Sequence, residues 1–267
     1  MTVSILMPTL GRPGWDKYLP GLLAQRRPAE ELIIIFDRST DKKERHGLRA
    51  KWPGVAFLFN SKHIGITASL NKGLEIATGE YIFRCDDDDE CRHDRIARQL
   101  DHFAATGADF IGSWAMGEVS EAMEQQFIIK CPLNDPDIKA ALRKRNVLIH
   151  SSLAFRKEAV MSLGGYDETF TNAQDYALYL AAIRAGFRFA AVPEPLVTRH
   201  YGPESITVSR RKQQAMFSCA ARVIHHAHSG NRAAFLKTLA AYAMLSLVPS
   251  FARRWRRNLF RVVGRGA

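Results

Sequence analysis

Glu80-Tyr-Ile-Phe-Arg-Cys-Asp-Asp-Asp-Asp-Glu-Cys-Arg-His-Asp94 is the stretch on which the fold turns. It opens as a strand: Tyr81, Ile82 and Phe83 favour extended backbone and follow a Thr78-Gly79 break. The strand runs straight into four carboxylates, Asp86 to Asp89. Neighbouring charges of one sign repel, so a folded site that holds them calls for a cation. Hard oxygen donors suit Mg²⁺ or Mn²⁺. Open α/β sheets bind ligands at the carboxyl ends of their strands, where a metal is well placed to grip a diphosphate. The competing reading of the tetrad is a solvated acidic turn, and the apolar strand in front weighs against it.

The flanking sequence repeats the strand-then-helix pattern. Val3 to Met7 reads as a buried strand stopped by Pro8 and the Gly11-Arg-Pro-Gly14 loop, with helical spacing from Trp15 to Gln25. Leu32 to Phe36 is a continuous apolar run, as in a parallel sheet covered on both faces. A polar turn from Asp37 to Asp41, a helix near Lys43 to Lys51 and a strand from Val55 to Asn60 follow. Gly65 to Leu74 leads a helix into the strand at Glu80. After the carboxylates come a helix from Arg92 to Ala105 and a strand from Ala108 to Gly112. Ser113 to Cys131 reads as a meander, Pro136 to Lys144 as a helix and Val147 to Phe155 as extended. A helix from Tyr176 to Ala185 and a strand from Phe187 to Val192 complete the series, with Pro193-Glu-Pro195 as a turn. This alternation predicts an α/β fold with a mostly parallel sheet and helices on both faces. The first strand lacks a GxGxxG turn, against a dinucleotide fold.

The bulk composition adds limits. With 267 residues and 46% hydrophobic content the chain can bury a sizeable core. Its formal net charge is +11, yet residues 208–267 hold twelve Lys and Arg and no Asp or Glu, so the first 207 residues carry 11 − 12 = −1. Cys85, Cys91, Cys131 and Cys219 form no CxxC pair and read as reduced thiols in a cytoplasmic protein. Val3 to Met7 is too short for a signal sequence, and no run reaches the length of a membrane span.

In this order the segments resemble the family 2 nucleotide-sugar glycosyltransferases, whose fold is the Rossmann-like GT-A fold. Val3-Ser-Ile-Leu-Met-Pro-Thr9 is similar to the family's first strand and loop, which assigns Pro8 and Thr9 to the donor side. Ile33 to Asp41 is similar to its second strand, with Asp37 at the aspartate that holds the nucleoside base; Phe36 and Arg38 depart from the usual second acid and glycine. Gly65 to Gly73 resembles the loop into the third helix, with Asn71 at its asparagine. Asp86 and Asp88 fall on the two aspartates of the Asp-x-Asp metal motif, and Asp87 lies between them on the donor side. Gly164-Gly-Tyr-Asp-Glu168 and Gln174-Asp-Tyr-Ala-Leu178 resemble the acceptor-side pattern, with Asp175 on the catalytic base.

The resemblance implies a GT-A catalytic domain over 1–207, its donor half about 1–112 and acceptor half about 113–207; residues 208–267 lie outside it and read from their composition as a basic helical extension. It implies inverting, metal-dependent transfer from a nucleotide sugar, with UDP expected, to a glycan or lipid-linked glycan in bacterial surface-polysaccharide synthesis. A nucleotidyltransferase would share the metal logic. A nucleic-acid-binding role for the basic tail finds no recognisable module, so no nucleic acid partner is expected. Several residues keep two readings. Asp175 fits a helix N-cap as well as a base, and Asp37 fits a turn. His200 is a candidate metal or phosphate contact, and His150 either an interior polar residue or a sugar or acceptor contact. Arg84 and Arg156 read as surface or salt-bridge residues. On a helix, Phe251, Ala252, Trp255, Leu259, Val262 and Val263 share one face while six arginines between Arg253 and Arg265 take the rest. Such a helix over 250–265 predicts attachment to an anionic membrane, on the inner face of the cell membrane; packing on protein is the competing reading.

Overall fold

A computed structural model describes residues 1–119, 125–201 and 211–247. Among them nine strands form one mixed sheet. β1 (Val3–Thr9), β2 (Glu31–Phe36), β3 (Ala56–Phe59) and β4 (Tyr81–Arg84) are parallel neighbours in the order β3-β2-β1-β4. The short β8 (Ala154–Arg156) runs antiparallel between β4 and β6 (Phe110–Val119), and β9 (Phe189–Tyr201) lies parallel to β6 on its other side. β5 (Asp89–Cys91) closes that edge against β9, and β7 (Gln125–Ile129) forms a hairpin with β6.

Strand side chains alternate between faces, so each parallel strand feeds two cores. Leu6, Ile33, Ile35 and Ile82 pack against α3 (Ile66–Ile76), α6 (Lys157–Ser162) and α7 (Gln174–Arg184). Ile5, Met7, Ile34, Phe36 and Phe83 pack on the opposite face with α1 (Leu19–Leu23) and α4 (Arg95–Thr106). α2 (Lys42–Lys51) starts at Asp41, whose carboxylate accepts the Glu44 amide, and α5 (Asp135–Leu142) starts at Asn134, which caps Asp137 in the same way. The chain ends its described part with α8 (Arg211–His228), a turn at Gly230, and α9 (Arg232–Leu247).

The observed fold is the predicted α/β class. Three local expectations differ. Helical spacing from Trp15 yields only the five residues of α1: Pro20, in its first turn, has no amide to donate and its ring crowds the carbonyl four residues back, so the helix does not extend back to Trp15. Pro193 and Pro195 do not end their strand: β9 continues through them, and the register with β6 shifts around Trp114, the kind of irregularity where a strand tolerates proline. Val147 to Phe155 is not extended throughout; His150–Ser152 form a 3-10 turn ahead of β8. The four cysteines are free, as expected, and all are buried. Residues 250–265 lie outside the described residues. Among the described residues no helix is long and apolar enough to cross a membrane.

Candidate active site

The carboxyl ends of β1, β2 and β4 meet at one edge, and the residues singled out in the sequence gather there. Thr9, the last residue of β1, donates its hydroxyl to Asp87 Oδ2 at 2.5 Å and accepts the Gly11 amide at 2.8 Å. Pro8, one residue earlier, is buried in the ladder opposite Ile35. Asp37 follows β2 and is 4% exposed. Its Oδ1 accepts the Ile64 amide at 2.8 Å and its Oδ2 the Gly65 amide at 2.9 Å, while Asn60 and His63 also reach it. The carboxylate thus shapes the loop that opens α3. Asn71, on α3, binds both backbone groups of Tyr166, donating to its carbonyl and accepting its amide at 2.8 Å each. It therefore ties α3 to the Gly164–Glu168 loop.

The four carboxylates divide. Asp86, Asp88 and Asp89 can bring one oxygen each within 4.8 Å of one another. Asp89 does not continue a loop; it enters β5 opposite Arg199, whose Nε lies 3.6 Å from Asp89 Oδ2. That buried Oδ2 has no hydrogen-bond partner. Burial, reinforced by the Asp86 charge, raises the Asp89 carboxyl to about 7. Burial raises Asp87 to about 6, with the Thr9 hydroxyl opposing. Three hard oxygen donors, one an orphaned buried atom, whose mutual repulsion disfavours joint ionisation, fit a divalent cation such as Mg²⁺ or Mn²⁺. His200 is outside this group: it sits on β9, its Nδ1 3.2 Å from Glu118 and its ring stacked on Tyr18 at 5.0 Å.

Arg84 corrects the surface reading given to it. It is 2% exposed, and its Nη1 pairs with Asp86 Oδ1. Burial works against its charge, but the Asp86 carboxylate outweighs that and the guanidinium is held above its ordinary range. The same cation acts on His150, Tyr166 and Asp175. His150 Nε2 meets the Tyr166 hydroxyl at 2.9 Å, and burial together with Arg84 and Arg199 keeps this imidazole well below its ordinary value, hence neutral. Asp175 sits inside the first turn of α7, not at its cap, which is Ala173 with φ 57 and no side-chain bond. Its Oδ2 accepts Asn146 Nδ2 at 2.8 Å. Burial raises its carboxyl above the usual carboxylate range, and the Asn146 bond opposes the rise.

Sequence reasoning gave no role to Asp89, Arg199 or Asn146. The first stood in plain view as the fourth of the tetrad; the other two are joined to the site only by long-range pairing. Arg84 carried a signal, a charge inside an apolar strand next to an acidic run. Cys85 and Cys91 flank the tetrad with sulfurs 3.6 Å apart, both touched by Arg95 Nη1.

Residues 4–164 match the model described as Glycosyl transferase family 2. The chain belongs to this family. The match ends at Gly164, short of Asp175. A curated relative, the amylovoran biosynthesis glycosyltransferase AmsE of Erwinia amylovora, is 25% identical over 198 residues, 73% of each chain. The Escherichia coli UDP-Gal:alpha-D-GlcNAc-diphosphoundecaprenol beta-1,3-galactosyltransferase is 28% identical over 68% of this chain and 66% of its own. Among solved structures, S. aureus TarS 1-349 superposes with a TM-score of 0.64 over 91% of this chain and 72% of that one, at 16% identity. In a longer TarS structure the chain spans 39% of the neighbour. At that identity the likeness speaks for the fold, and the fold of this family 2 glycosyltransferase is accordingly GT-A.

Proposed function

We propose that the protein moves a sugar from a uridine diphosphate donor to a hydroxyl of a lipid-linked glycan, with inversion at the anomeric carbon, in bacterial surface-polysaccharide synthesis. The observation that carries the reading is the cluster of Asp86, Asp88 and Asp89 past the carboxyl end of β4, with the buried Arg84 paired to Asp86. Such a cluster suits a metal that grips a diphosphate.

Asp86, Asp88 and Asp89 would hold Mg²⁺ or Mn²⁺, which supplies the positive charge that neutralises a leaving diphosphate. Pro8, Thr9 and Asp87 form the donor-side wall, and Asp37 and Asn71 fix the two loops beside it. Asp175 takes the proton of the acceptor hydroxyl as its oxygen bonds the anomeric carbon. The bond from that carbon to the diphosphate oxygen breaks, and the nucleoside diphosphate leaves with the electron pair. One displacement of this kind inverts the carbon. His200 stands as a candidate contact to phosphate from β9.

Two relatives support the choice of donor and acceptor. TarS 1-349 is known in complexes with UDP and with UDP-GlcNAc. The E. coli relative is named for UDP-Gal and a diphosphoundecaprenol-linked sugar. A lipid-borne acceptor fits peripheral attachment through residues 250–265 to the inner face of the cell membrane. The test is a nucleotide-sugar panel read by thermal unfolding with and without Mn²⁺, since a ligand bound only by the folded chain raises Tm. The stabilising donor is then offered to a lipid diphosphate-linked sugar. UDP sugars are expected to stabilise and to release UDP. Turnover of a nucleoside triphosphate with a sugar phosphate would instead identify a nucleotidyltransferase.

A further inference from the structure

α9 turns an apolar side to solvent, while Phe235 and Tyr242 are half-buried on its inner side. Its polar Thr238 is 7% exposed, buried toward the protein, while Leu236 and Met244 are 63% and 64% exposed and Leu239 is 41% exposed. Ala240 and Ala243 are exposed as well. At 100° per residue, Leu236, Leu239, Ala240, Ala243 and Met244 fall on one side, and they make an apolar strip. Arg232 and Lys237 are the only charged residues of the helix. Water-facing helices of globular proteins carry polar residues on the side that α9 leaves apolar. An exposed strip of this kind marks a surface that docks on something.

Three observations select the occupant. The segment that contains α9, residues 208–267, has twelve Lys and Arg and no acidic residue, so the strip lies within a strongly cationic stretch. The sixteen described residues of α9 make about 24 Å of helix, and among the described residues no helix is long and apolar enough to cross a hydrocarbon core of about 30 Å. The strip therefore suits a helix that lies along a bilayer surface with cations beside it. α9 also packs on α8, and α8 on α7, the helix that carries Asp175. A surface that α9 touches is thus tied by two helix contacts to the acceptor side.

We propose that the outward strip of α9, Leu236, Leu239, Ala240, Ala243 and Met244, is a docking surface for an anionic lipid bilayer. It shares with the function proposed above a lipid-borne acceptor, and it adds a second contact, separate from residues 250–265, that orients α7 relative to the membrane plane.

The experiment uses the full chain and vesicles of phosphatidylcholine alone or mixed in equal parts with phosphatidylglycerol. Wild type is expected to float with the mixed vesicles, much less with the neutral ones, and to lose binding in high salt. The double variant Leu236→Gln, Met244→Gln changes only exposed side chains, so its far-UV spectrum and Tm should match wild type. Its partition into mixed vesicles should fall by about tenfold or more, because two apolar side chains no longer enter the interface. Met161→Gln, an exposed apolar change on α6, should leave partition unaltered. Turnover on a water-soluble acceptor is measured in parallel and should be the same in all three proteins; its absence in wild type would count against the catalytic reading and leave the docking result standing. Flotation unaffected by the double variant overturns the proposal. So does a wild-type dimer that the variant converts to monomer without any vesicle binding, which would make the strip a subunit interface.

Discussion

Arg84 and Asp86 are two residues apart at the end of one strand, and they form an ion pair whose cation is 2% exposed and whose carboxylate is 30% exposed. The guanidinium neutralises part of an acidic cluster from below while solvent and ligands reach it from above. Removing one partner of a fully buried pair costs about 3–5 kcal/mol, and the partly exposed Asp86 carboxylate makes the cost here smaller. Arg84→Met should therefore lower the Tm of metal-free protein well below wild type. Mg²⁺ should restore part of the loss, since it replaces the missing positive charge, and its stabilising effect should exceed that on wild type. Thermal unfolding with chelator and with Mg²⁺ checks both; identical Tm values for variant and wild type in chelator would remove Arg84 from this role.

Asp175 is not the cap residue of α7, and an amide oxygen can still accept the same first-turn amides, so Asp175→Asn should fold and lose about 10²- to 10⁴-fold in kcat. The carboxyl is raised by burial and partly restrained by Asn146. As the base must be ionised, kcat/KM should fall as pH drops through a value above the usual carboxylate range. Asn146→Ala removes the bond that favours the ionised form, so its acid limb should move to higher pH. A limb that stays in place in Asn146→Ala would contradict the assignment.

Gly165 and Asn71 are coupled. Gly165 has φ +81, and a Cβ there would sit 2.7 Å from Asn71 Oδ1. Gly165→Ala should destabilise by about 1–3 kcal/mol from backbone strain alone, more with the collision. Asn71→Ala strands the amide and carbonyl of Tyr166, at a cost of about 1–3 kcal/mol. Urea unfolding of the double variant should show less than the sum, because the smaller side chain removes the collision.

His225 on α8 is held down to about 4 by burial, with His226, Arg184 and Arg143 adding repulsion and the Leu180 backbone bond opposing. Unfolded, the imidazole titrates near 6.5. Above that pH both states are neutral and the group adds nothing. Between 6.5 and about 4 the unfolded state takes up a proton that the folded state refuses, so stability is lost as pH falls through that window. Urea unfolding at several pH values should show a shallower decline for His225→Gln than for wild type.

Much of the fold was legible because its signals are local. Leu32 to Phe36 is apolar without interruption, and it forms a strand covered on both faces. Asp86, Asp88 and Asp175 stood out by residue type and context. The partners that give them their chemistry did not. Asp89 meets Arg199 across 110 residues and Asp175 meets Asn146 across 29, and only the tertiary register brings them together. Pro193 and Pro195 read locally as a turn, yet β9 bulges there, with extra residues opposite Ser113 to Ala115 of β6, and stays in the sheet.

One hydrogen-bonded ladder runs without a gap from β3 through β1, β4, β8 and β6 to β9 and β5. The donor-side strands and the strand that carries Arg199 and His200 therefore belong to a single plate, with no linker about which one half could swing on the other. Rearrangement would fall to connections at the rim, such as residues 10–18, rather than to residues 60–65, which the Asp37 carboxylate holds. Asp89 and Arg199 are fixed within that plate, whereas Asp37, Asp86 and Asp88 stand just past the strand ends and Asn71 and Asp175 on the helices that cover it.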